Sequence, residues 1–65
     1  MSRLTEAEYA YKQQRANVRL VGIRDLRRVF FRAHKRAANG SDLAKVPLWA
    51  ILDEYASRGV EPPSV

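Results

Sequence analysis

The chain has 65 residues, with 12 Lys and Arg against seven Asp and Glu and a formal charge of +5. A chain this short buries only about 60% of the surface its unfolded form exposes, so it makes one small domain and excludes an enzyme built of two. With 46% hydrophobic residues it has the make-up of a folded globule rather than of a disordered segment.

The first helix signal is Thr5-Glu6-Ala7-Glu8. Thr at the cap with Glu three residues later is a capping box, and both acids suit the positive end of a helix dipole. From there Leu4, Ala7, Tyr11, Gln14, Val18 and Val21 recur at alternating steps of three and four, a heptad-like stripe that leaves Tyr9 and Leu20 outside it. Gly22 closes the segment as a C-terminal cap or a tight bend. A second helix is expected from Ile23 to Ala38. Advancing roughly 100° per residue, Ile23, Leu26, Val29, Phe30, Ala33 and Ala37 share one arc, and Arg24, Arg28, Arg32, Lys35 and Arg36 share the opposite one. Continuing the first stripe through Gly22 would turn Asp25, Arg28 and Arg32 inward, so the pattern predicts a break there. Asn39-Gly40 stops the second helix, since both tolerate positive φ.

Residues 41–45 read as a polar connector or a single short turn, with Leu43 tucked under the core. Pro47 then opens a third helix, where its missing N–H costs nothing. Leu48, Ile51, Leu52 and Tyr55 form its apolar face, and Gly59 caps it with Val60 packing back. The expected fold is all-α: a small three-helix domain over residues 1–60, with helices at about 5–21, 23–38 and 47–58. The first two form a helical hairpin and the third packs across it. Residues 61–65, Glu-Pro-Pro-Ser-Val, form an extended tail. Self-association is one way to complete so small a core.

Several chemistries are excluded by residue type. There is no cysteine, hence no disulfide framework and no thiolate ligand, and His34 is the only histidine, so no metal centre and no cofactor are expected. Asp53 and Glu54 are adjacent and diverge by about 100° on a helix, so they do not converge as a catalytic pair. Without a glycine-rich phosphate loop or a nucleophile elbow, no catalytic residue and no small-molecule substrate are expected. No apolar leader is visible, and the longest apolar run, residues 46–52, is far short of the ~20 residues a bilayer needs, so the expected location is cytoplasmic and away from membranes.

Charge placement carries the functional expectation. Residues 12–36 hold nine basic side chains and one acid, Asp25, whereas the remainder is net acidic. Arg24, Arg28, Arg32, Lys35 and Arg36, flanked by Arg27, make a stripe suited to a phosphate backbone. The expected function is a non-enzymatic nucleic-acid-binding module using these six residues. The alternative is a protein-interaction factor, an inhibitor, adaptor or small assembly subunit, that docks the same stripe on an acidic protein surface with Phe31 and Trp49 as anchors. Phe31 is more simply read as packing on the first helix, and Trp49 equally as a core plug or an anchor. A helix-turn-helix within residues 41–55 is a weaker reading, because the apolar spacing fits but the turn is missing.

Overall fold

The computed structural model describes residues 5–64, which form three helices: α1 (Glu6–Arg19), α2 (Ile23–Ala37) and α3 (Asp42–Arg58). The small three-helix fold is as expected. Leu4, the first member of the α1 stripe, lies outside the described residues.

Each boundary has a local cause. The Thr5 hydroxyl accepts a hydrogen bond from the Glu8 N–H at 3.1 Å, so the capping signal is realised. The Leu20 and Val21 N–H groups bond back to the Asn17 and Val18 carbonyls, which closes α1 two residues before the expected end. Gly22 does break the helices, but not by capping α1. It is the N-cap of α2, with φ −67° and ψ 157°, an extended conformation open to any residue. At Gly40 φ is +84°, and its N–H reaches the Ala37 carbonyl at 3.1 Å; Asn39 keeps a negative φ, so glycine alone supplies the left-handed turn.

The start of α3 departs from expectation. The helix begins at Asp42, so Pro47 lies inside it rather than at its first position. A proline there removes the bond to the carbonyl four residues back, that of Leu43. Leu43 is exposed, at 47%, rather than tucked under the core. The extra turn also brings Val46 into the interior at 1% exposure. One uninterrupted helix over residues 42–58 leaves no helix-turn-helix within residues 41–55.

The C-terminal end of α3 closes in a Schellman motif. Gly59 has φ +70°, its N–H bonds to Ala56 and the Val60 N–H bonds to Tyr55 at 3.0 Å. Gly59→Ala is expected to cost about 1–2 kcal/mol through left-handed strain, whereas Gly22→Ala carries no such strain and loses only a better N-cap residue, so it should cost less. Thermal melts of the two variants followed by circular dichroism check this contrast.

Packing centres on α3. It contacts both α1 and α2 extensively, while α1 and α2 barely touch, so the hairpin contact expected between the first two helices is slight. The apolar run over residues 46–52 explains the arrangement: seven consecutive apolar residues cover every side of a helix, and such a helix needs neighbours on more than one side. Val18 from α1, Leu26, Phe30 and Ala33 from α2, and Ile51 and Tyr55 from α3 form the core cluster. Ile23, placed on the core arc from the sequence, stands at its edge, 48% exposed. Glu61 to Ser64 follow without regular structure.

Candidate nucleic-acid interface

Only one flank of α2 is needed for packing, which leaves most of its circumference free. Measured from Arg24 at roughly 100° per residue, Arg27 lies near −60°, Lys35 near +20°, Arg28 near +40°, Arg32 near +80° and Arg36 near +120°. Leu26, Phe30 and Ala33 point the opposite way, into the core. All six cations are exposed, and among the described residues none of them is paired with a carboxylate. The structure therefore brings together every cation singled out from the sequence, on a half-cylinder about 18 Å long.

Phe31 sits inside this arc, near −20°. At 40% exposure it is not sealed against α1, which corrects the packing expected of it. Its ring meets the buried Phe30 ring edge-on, with centroids 5.4 Å apart. The Arg27 guanidinium carbon lies 5.9 Å from the Phe31 centroid, a cation–π approach. His34 is exposed on the same side, its ring 6.2 Å from that of Phe30. At the far end of the helix, Arg32, Lys35, Arg36 and Asn39 line a shallow basic hollow.

Trp49 belongs to another place. It is 43% exposed and lines a cleft with Ala7, Glu8, Tyr11 and Lys12 of α1. It is thus half a core plug and half a surface residue, and it sits on a different helix from Phe31. Next to it the Tyr11 hydroxyl donates to the Asp53 carboxylate. That bond, together with partial burial and the Asp53 charge, raises the Tyr11 pKa above its ordinary value.

Two further arginines carry a role that residue spacing did not reveal. Glu54 is 5% exposed and lies between Arg15 of α1, at 3.0 Å, and Arg58, one turn along α3, at 2.7 Å. Arg15 also donates to the Ala50 carbonyl, and Arg58 donates to the carbonyls of Val18 and Val21 at 3.2 and 2.6 Å. This group ties the end of α1 and the turn before α2 to α3. It also withdraws Arg15 from the basic window in which simple counting places it. The hydrogen bond from Arg58 is the main cause holding the Glu54 carboxyl below its ordinary pKa, with the charges of Arg58, Arg15 and Arg19 adding to it and burial opposing. Asp53 and Glu54 point to different partners, so they do not converge.

No group of three or more potential metal ligands occurs among the described residues, and no described helix is long and apolar enough to cross a membrane. Comparison with protein-family models, with characterised proteins and with solved structures finds no match to this chain.

Proposed function

We propose that this chain is a non-enzymatic nucleic-acid-binding module that contacts phosphates through Arg24, Arg27, Arg28, Arg32, Lys35 and Arg36 of α2. One observation carries the reading: six exposed cations, without carboxylate partners among the described residues, cover half of one helix. Where arginine is needed for stability in this fold, it is paired and bonded, as Arg15 and Arg58 are to Glu54. The α2 cations have no such internal use, and holding them together costs repulsion that a polyanion relieves.

Binding of labelled nucleic acid, followed by fluorescence anisotropy at 50 and 200 mM salt, tests this. For four phosphates contacted, affinity should fall by roughly 50- to 150-fold between the two salts. Arg28→Glu with Arg32→Glu should weaken low-salt binding by about 100-fold or more while leaving helicity unchanged, since both side chains are exposed. Retained binding in the double variant removes α2 as the contact surface.

A second reading is supported by Trp49. Its half-exposed ring above Ala7 and Tyr11 is the kind of aromatic that anchors a protein interface. In that reading an acidic protein takes the place of the nucleic acid, and Trp49→Ala weakens its capture where salt has little effect.

A further inference from the structure

The outer side of α2 is divided lengthwise. Arg27, Phe31 and His34 follow one another at steps of four and three, which puts three planar groups on one stripe about 10 Å long. Arg24, Arg28, Lys35, Arg32 and Arg36 lie beside that stripe, on the side turned toward +120°. The planar stripe is held from beneath: the buried Phe30 ring contacts Phe31 edge-on at 5.4 Å and lies 6.2 Å from His34.

We infer that α2 binds single-stranded nucleic acid, with unpaired bases stacked on Phe31 and its planar neighbours and phosphates on the flanking cations. This rests on the nucleic-acid reading above and narrows it. A duplex presents its phosphates outward and hides the faces of its bases, so it has no use for the planar stripe. A single strand exposes base faces on one side and phosphates on the other, which is the division α2 carries. Aromatic rings, imidazole and guanidinium planes all serve as stacking surfaces for unpaired bases. About 10 Å accommodates two or three bases at the ~3.4 Å stacking distance.

The test compares a labelled 12-nucleotide oligothymidylate with a 12-base-pair duplex, by anisotropy at one low salt concentration. Phe31→Leu keeps the apolar volume and removes the plane. It should weaken binding of the single strand by about 5- to 10-fold and leave the duplex within about twofold. Phe31→Trp should restore single-strand binding, which a merely structural role for Phe31 would not require. Circular dichroism confirms that each variant is folded. An unchanged affinity of Phe31→Leu for the single strand, or an equal loss on both probes, overturns the inference and leaves phosphate binding standing. Failure of the unaltered chain to bind either probe overturns both.

Discussion

Ile51→Ala should leave the chain largely unfolded at 37 °C. Ile51 is fully buried on α3, the helix that packs against both others, and it belongs to the same cluster as Val18, Leu26, Phe30 and Tyr55. Truncating such a residue removes its transfer free energy and leaves a cavity, at a combined cost of about 2–5 kcal/mol. Stability of roughly 0.05–0.15 kcal/mol per residue gives a domain of this length only about 3–10 kcal/mol in total. The loss is therefore a large share of everything available, and the chain has no cysteine with which a disulfide could compensate. Ile51→Val, which removes one methyl group, should cost about 0.5–1.5 kcal/mol and stay folded. Leu20→Ala, at a position 88% exposed, should change stability by less than about 0.5 kcal/mol. Urea melts of the three variants order them directly, and an Ile51→Ala variant no less stable than Ile51→Val would show that the core lies elsewhere.

The helical periodicities of α1 and α2 were legible because each of these helices packs mainly on one side. Ala7, Tyr11, Gln14 and Val21 are partly buried and Val18 fully, while Tyr9 and Leu20, off the stripe, are exposed. The same holds for Leu26, Phe30 and Ala33 against the α2 cations. α3 has no such single face. Its central position follows from the apolar run at 46–52, whose shortness for a membrane was easier to read than its need for two neighbours. Pro47 hid the true start, because its preference for a first helical turn is strong. Here the added turn buries Val46. At the candidate site, the cation arc could be derived from spacing alone. The exposure of Phe31 could not, since it depends on how little α1 and α2 touch. Arg58 stands at the i,i+4 spacing from Glu54 that a sequence can show, but the bridging role of Glu54 was not legible because Arg15 reaches it from another helix, 39 residues away along the chain.

Glu54→Gln should lower stability strongly, and that loss should depend on pH. The carboxylate lies between two arginines, at 3.0 Å from Arg15 and 2.7 Å from Arg58. An amide keeps the shape but turns two N–H groups toward guanidinium donors and leaves both cations without their counter-charge. Replacing such a group with an apolar isostere would be mild only if the arginines went too, because the expensive product is an unpaired charge. At pH 7 the expected fall in Tm is on the order of 10 °C for a domain of this size. The folded state holds the Glu54 pKa below its ordinary value, chiefly through the hydrogen bond from Arg58. A depressed carboxyl contributes its full stability above the unfolded pKa of about 4.3, and loses it as pH falls through the lower folded value. The unaltered chain should thus lose stability steadily below about pH 4.3, whereas Glu54→Gln, having nothing to protonate there, should lose less. The Tm gap between them narrows toward acid, and thermal melts at pH 7, 5 and 3 measure it. A gap independent of pH would mean that shape and packing at this position, and not the charge, hold α1 and the turn before α2 onto α3.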